Sequence, residues 1–207
     1  MTSTDMNDFV RRAYDEVAEA YLEVRRYNRH DLPYLDRLVS QLQPGDRVLD
    51  VGCGPGLPIA AHLVSAGLDV TGIDISPVQI ELARRSVPEG EFLVCDMNDL
   101  EEGEFAVAAV VAFYSLFHTP REGHFRLLTT LRTFLPPGGR LLCTFGSTEW
   151  EGEEPFFGTP MRWSHFGPER SQRLVTEAGF AIELSEIAEH QFGDEFERHL
   201  VVGAVAV

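Results

Sequence analysis

Three glycines at alternate positions, Gly52, Gly54 and Gly56, follow directly on the apolar run Val48-Leu49-Asp50-Val51. Glycine has no Cβ and tolerates positive φ, so a turn of this kind lets backbone lie flush against a ligand. A strand running into such a turn suits a nucleotide-like molecule, although glycine turns also serve ordinary strand-to-helix connections. Asp74 stands eighteen residues beyond Gly56. A carboxylate there can accept from both hydroxyls of a ribose, or it can cap the turn before Ser76. Asp96, in Cys95-Asp96-Met97, can accept from an adenine amino group while the next backbone N–H donates to a ring nitrogen. For proton transfer the candidates are His118 and His165, whose imidazoles titrate near neutral pH.

These residues need a scaffold, and hydrophobic periodicity supplies one. Residues 5–29 read as a helix on the spacing of Phe9, Val10, Ala13, Val17, Ala20, Tyr21 and Val24, and residues 33–42 as a second, short one. Strands follow at 47–51, 68–74 and 91–95, with helices at 58–66 and after Ser76-Pro77, where serine is the N-cap and proline the first helical residue. The almost wholly apolar stretch 105–114 predicts a strand buried on both faces. A helix at 121–135 and the turn Pro136-Pro137-Gly138-Gly139 lead to a fifth strand at 140–145. Residues 146–167, rich in Glu, Gly, Pro and aromatics, read as an inserted loop or lid. A helix at 168–178 and strands at 180–189 and 195–205 close the chain, the last two too near in sequence for a crossover and so antiparallel. The expected fold is α/β: a doubly wound, mostly parallel seven-stranded sheet with an antiparallel last strand. Ligands bind such sheets outside the carboxyl ends of the strands, where the glycine turn falls.

The composition narrows the partners. With 17 basic and 33 acidic residues among 207, the net charge is −16, which repels phosphate backbones and anionic lipid. Nucleic acid and membrane are excluded as partners on this ground, and a small molecule is favoured. All 17 basic residues are arginine, which suits either a salt-rich cytoplasm or a GC-rich genome. No membrane-spanning run and no signal peptide is read, so the expectation is cytoplasmic. Cys53, Cys95 and Cys143 share no metal-ligand spacing, so they read as small buried hydrophobes, and no metal site is expected. The acidic run 149–154 reads as solvated surface.

Val48 to Gly56, Gly72-Ile73-Asp74, Cys95-Asp96-Met97 and Leu135-Pro136-Pro137-Gly138-Gly139 together resemble the motifs of the class I S-adenosylmethionine-dependent methyltransferases. Tyr14 to Tyr21 is similar to the N-terminal helix signature of the members that act on small molecules. The resemblance runs from Ala13 to Val205 and implies one domain: a helical cover (1–43), a cofactor-binding core (44–146), a substrate lid (147–167) and a C-terminal helix and strands (168–207). It implies transfer of a methyl group from S-adenosylmethionine to a small organic acceptor. The cofactor set it implies is Tyr14, Tyr21, Asp50, Gly52, Cys53, Gly54, Gly56, Asp74, Ile75, Asp96, Met97 and Phe113. Asp50 either orients the turn or accepts from the cofactor's amino group, and Phe113 and Tyr114 either face the sulfonium by cation–π attraction or belong to the sheet core. Tyr114, Trp163 and Phe166 are candidate acceptor walls, the alternative being a lid packed on itself. A nicotinamide-dependent oxidoreductase would place a third glycine at Leu57, which argues against it. A cofactor-binding module without turnover stays open.

Overall fold

In the computed structural model, which describes residues 3–192 and 195–207, helix α1 (Ser3–Tyr27) and helix α2 (Leu32–Val39) precede the first strand, β1 (Arg47–Val51). Alternation of helix and strand follows: α3 (Ile59–Ser65), β2 (Asp69–Asp74), α4 (Pro77–Ser86), β3 (Glu91–Val94), β4 (Ala109–Ala112), α5 (His124–Thr133) and β5 (Arg140–Gly146). A hairpin of β6 (Trp150–Phe156) and β7 (Thr159–His165) comes next, then α6 (Pro168–Glu177), β8 (Phe180–Phe192) and β9 (Glu195–Ala206). The main sheet has seven strands in the order β3-β2-β1-β4-β5-β9-β8, parallel except for β9, which runs antiparallel to both neighbours. This is the doubly wound sheet the sequence predicts. No helix among the described residues is long and apolar enough to cross a membrane.

Side chains alternate across the sheet with period two, and the core divides accordingly. Leu49, Val51, Val110, Ala112, Leu141 and Cys143 face the layer of α5 and α6, where Leu128, Leu131 and Val175 are fully buried. Val48, Ala109, Val111 and Leu142 face the opposite layer, against Leu35, Ile59, Leu63 and Ile80. Ser76 caps α4 as its sequence position predicts, its hydroxyl accepting from the Gln79 amide at 3.0 Å.

Three expectations need correction. The apolar stretch 105–114 pairs as a strand only over Ala109–Ala112. Before it, the Val107 amide donates to the Phe134 carbonyl and Ala108 to Arg47; after it, Tyr114 turns to φ +57 and its amide donates to Thr144 Oγ1. Apolar character there reports burial, which extends further than the ladder. The segment 146–167 is no irregular loop: β6 and β7 pair residue for residue from Trp150↔His165 to Phe156↔Thr159. Their two-residue connection, Phe157-Gly158, has both φ positive (51° and 82°), the geometry that twists a hairpin correctly. Phenylalanine at the first of those positions is not a usual turn residue, which hides the hairpin from sequence. Finally, Cys53 and Cys143 are buried as small hydrophobes, but Cys95 is only half-buried.

Helix α1 buries one stripe, Met6, Val10, Ala13, Val17, Tyr21 and Arg25, at three- and four-residue spacing. Its first half packs on Met161 of β7, and Ala18 and Leu22 pack on Leu82 of α4, so the helix lies across the carboxyl ends of the strands. Leu128, with no exposed surface, tests the larger core: Leu128→Ala should lower the unfolding free energy by about 2–5 kcal/mol, measured by urea denaturation.

Candidate functional site

The glycine turn is fixed by β2. Gly52 and Cys53 both donate their amides to the Ile73 carbonyl (2.8 and 2.9 Å), and Gly54 donates to Asp74 Oδ2 at 2.9 Å. Gly52, Gly54 and Gly56 have φ of 73°, 53° and 76°, a region that L side chains rarely adopt. The three point differently. A Cβ on Gly52 would lie 2.3 Å from Ser115 Cβ, and one on Gly56 would meet Ala83 of α4 and Val87 just beyond its end. Only Gly54 turns toward the crevice, where a Cβ would lie 3.5 Å from the Tyr21 ring. Leu57, in the place of a third glycine, is packed with Ala18, Leu22 and Leu82, so α1 fills the space that a dinucleotide fold keeps for close helix approach.

The acids of the crevice differ in what they hold. Asp74 accepts from Gly54 through one oxygen and from the Ser76 amide through the other (2.8 Å), so it shapes the turn while retaining lone pairs. Burial raises its pKa to about 6 against the pull of those two amides. Asp50, at the end of β1, is 1% exposed, and its Oδ2 has no hydrogen-bond partner among the described residues. Burial lifts its pKa to about 7, with Arg25 opposing. Asp96 caps the short 3-10 turn at Met97–Asp99 through Asn98 (2.8 Å), and its other oxygen is taken by the Asn7 amide of α1. Cys53 is buried beneath the turn, Met97 lies with its methyl 3.5 Å from where a Gly52 Cβ would be, and Ile75 is half-buried between Asp74 and Ser76.

Above Gly54 the aromatic rings come from α1 and the hairpin. Tyr14 meets Tyr21 edge-on at 5.5 Å, Phe156 lies 5.9 Å from each, and Trp163 closes on Phe156 at 6.1 Å. His118 joins this shell. Its Nδ1 is 2.8 Å from the Arg162 carbonyl, which can only accept, so Nδ1 carries the proton and Nε2 accepts from the Tyr14 hydroxyl at 2.9 Å. Burial lowers the His118 pKa to about 4, which leaves the ring neutral at pH 7. Tyr114 and Trp163 line the cavity beneath these rings.

The other candidates lie elsewhere. His165 donates to the Thr148 carbonyl at 2.8 Å and sits against Gly146, where any Cβ would strike it, so it anchors the base of the hairpin. Phe113 packs in the apolar cluster with Val48, Cys53 and Ile59 rather than over the turn. Phe166 faces His124, Arg121 and Arg170 and lines neither cavity of the crevice. Of the acidic run, Glu149 and Glu151 pair with Arg121, and Glu153 with Arg162, on an exposed hairpin face.

Sequence reasoning missed the opposite wall. Arg25 and Asp31, both almost fully buried, form an ion pair at 3.1 Å, with the guanidinium 5.0 Å above the Tyr114 ring and the Tyr114 hydroxyl donating to Asp31 (2.6 Å). His30, His190 and His199 extend this wall, His30 stacking on His190 at 3.5 Å. Arg25 was visible in principle as the end of the α1 stripe, and Glu197 with His199 as alternate residues on one strand face.

A family model described as a methyltransferase domain matches residues 48–139. The chain is 34% identical over 114 residues to a 27-O-demethylrifamycin SV methyltransferase of Amycolatopsis mediterranei, covering 51% of this chain and 41% of that one. It is 31% identical over 161 residues to an O-methyltransferase of Penicillium expansum, covering 70% and 56%. The chain thus spans about half the length of these curated relatives. Among solved structures, a 1,6-didemethyltoxoflavin N1-methyltransferase of Burkholderia thailandensis superposes with a TM-score of 0.78 over 100% of this chain and 91% of that one, at 20% identity, which speaks for the fold. Residues 48–139 belong to the methyltransferase-domain family, whose methyl donor is S-adenosylmethionine. The residues present fit that cofactor: an amide-lined turn with one open glycine, a ribose-height carboxylate in Asp74, and in Asp50 a buried oxygen lacking the donor that an amino group supplies.

Burial lowers the pKa values of six histidines, to about 4 for His30, His118 and His124 and about 3 for His199, with His165 and His190 also lowered. Below pH 6.5 the unfolded chain binds protons that these rings refuse, while Asp50 and Asp74, with raised values, hold protons the unfolded chain releases. Six against two favours the unfolded state. Stability should therefore be highest above about pH 6.5 and fall steadily toward pH 4, and melting temperatures across that interval check the sign.

Proposed function

We propose that this chain, acting as one domain with the hairpin as lid, transfers a methyl group from S-adenosylmethionine to a hydroxyl of a small organic acceptor. The observation that carries the reading is the unpartnered Asp50 Oδ2 at the mouth of β1, beside a glycine turn placed where β2 and β4 diverge on either side of β1. The names of the two curated relatives, both referring to O-methylation, favour oxygen as the nucleophile.

The cofactor supplies an already activated methyl group, which leaves the protein to bind, align and exclude water. Asp50 accepts from its amino group and Asp74 from its ribose. The Tyr14, Tyr21 and Phe156 rings offer their faces to a cation, where a desolvated contact contributes about 2 kcal/mol. Tyr14 and His118 form a proton relay: the Tyr14 oxygen takes the acceptor's proton as its own passes to His118 Nε2. The Nδ1 bond to Arg162 holds the ring in the tautomer that can accept, so closing the lid also sets the base. Trp163, Tyr114 and Phe117 wall the acceptor, and the acidic hairpin face turns away anions.

Asp74→Ala should weaken S-adenosylmethionine binding about 10- to 100-fold by calorimetry, since the ribose hydroxyls lose a charged acceptor worth about 1–3 kcal/mol. Unchanged affinity contradicts the assignment. Tyr14→Phe, which keeps the ring and removes the relay hydroxyl, should lower kcat by roughly 100-fold or more while cofactor affinity stays within about threefold, read by S-adenosylhomocysteine release. An unaltered kcat removes the relay from the mechanism.

A further inference from the structure

The β8–β9 hairpin carries a cluster that the methyl-transfer reading does not use. His190 pairs directly with Glu197 across the ladder, and His199 stands two residues along β9 from Glu197, so all three side chains project from one face of the sheet. Glu197 Oε2 lies 3.8 Å from His190 Nε2 and 3.9 Å from His199 Nε2, and one ligand atom from each residue lies within 4.8 Å of the others. A tetrahedral ion with bonds of about 2.0–2.2 Å brings its ligands to about 3.4 Å from one another, so the cluster closes on an ion if its ligand atoms approach by about 0.5 to 1.4 Å.

Three ring nitrogens here are buried without hydrogen-bond partners among the described residues. Both ring nitrogens of His190, a residue 6% exposed, and Nδ1 of His199 have none among the described residues. Such orphans are costly unless something absent from the chain itself answers them. Glu197 brings a carboxylate to face the two rings. His30 stacked on His190 and Phe117 stacked on His199 at 5.6 Å hold the rings in place.

We propose that His190, Glu197 and His199 bind one divalent first-row transition metal ion, with Zn2+ the best match to two imidazoles and a carboxylate, and that the open coordination position faces the methyl acceptor. Glu197 and His199 line both the small cavity beneath Tyr14 and Tyr21, of about 40 Å³, and the larger one under the hairpin, of about 430 Å³. An ion between them touches a molecule entering from the lid side on the wall it shares with the methyl-donor side. The acceptor class that follows is one presenting an oxygen lone pair, a phenol, an enol or a hydroxy acid, which the ion orients and polarises. This acceptor role rests on the methyl-transfer reading; the metal site itself does not.

The test uses the full chain made without a polyhistidine tag and stripped with a chelator, titrated with Co2+ by visible absorption and with Zn2+ by calorimetry. One equivalent should bind at roughly micromolar ion or below, with Co2+ developing the visible bands of a four- or five-coordinate site. Glu197→Gln and His199→Ala should each weaken binding roughly 10- to 100-fold or more, at least what loss of an outer-shell partner costs. Circular dichroism checks that both variants fold, and His190→Asn serves as a third, milder change. Wild-type protein that takes up no ion, or folded variants that bind as tightly as wild type, overturns the site. S-adenosylmethionine binding by the same preparation reports separately on the methyl-transfer reading: cofactor without ion overturns the metal site alone, and ion without cofactor keeps the site and overturns its acceptor role.

Discussion

Everything at the crevice depends on how the first strand is tied to the second just where β1 ends. Two amides of the glycine turn converge on one carbonyl, that of Ile73, and a third donates to Asp74. Three donors fixed on adjacent residues of β2 hold the turn in a left-handed conformation that side chains rarely adopt, and bring Gly54 to the surface of the crevice with nothing but backbone to present. Ser115 presses against Gly52 from the end of β4, its hydroxyl donating to the Val51 carbonyl at 2.7 Å. The turn is thereby located relative to the strands on both sides of it, and groups carried at their ends inherit that precision.

The cover is assembled from parts distant in sequence, and its chemistry follows from the exclusion of water. Helix α1, the β6–β7 hairpin and the β8–β9 hairpin meet over the strand ends, each contributing aromatic rings and at least one polar group. In this apolar shell the imidazoles are neutral at pH 7, and Asp50 and Asp74 take up protons at a higher pH than carboxylates in water. The His118 ring illustrates the coupling: its donor nitrogen is spent on the hairpin backbone and its acceptor nitrogen on α1. A movement of either element changes what the ring can accept. The same dryness is costly where partners are lacking, at Asp50 and in the His190–His199 group, and those are the positions where a bound molecule or ion has most to contribute.

Much of this was legible in the chain. Strand β1 and the glycine turn, the Ser76 cap on α4, the acid closing β2 and the antiparallel final pair all rest on local signals: period, turn chemistry and spacing act within a few residues and survive in any context. Misreadings arose where the signal was not local. Residues 105–114 are apolar because they are buried, yet hydrogen bonds from Val107 to Phe134 before the strand and from Tyr114 to Thr144 after it bound a ladder of four residues. The hairpin was concealed by a Phe-Gly turn and an acidic strand with little alternation, since its apolar partner is α1, over a hundred residues earlier.

Sequence alone therefore determined the sheet, its switch point and the family of the domain over residues 48–139, because these follow from patterns whose physics is short-ranged. Tertiary structure decided which candidates share a site. Tyr14 meets His118, and Asp31 meets Tyr114, across gaps of 104 and 83 residues. His190 meets Glu197 only once the hairpin register is set. Phe166 and His165 turn to scaffolding for the same reason: a side chain's neighbours, and with them its proton affinity and its reach, are set by packing between elements that no spacing along the chain records.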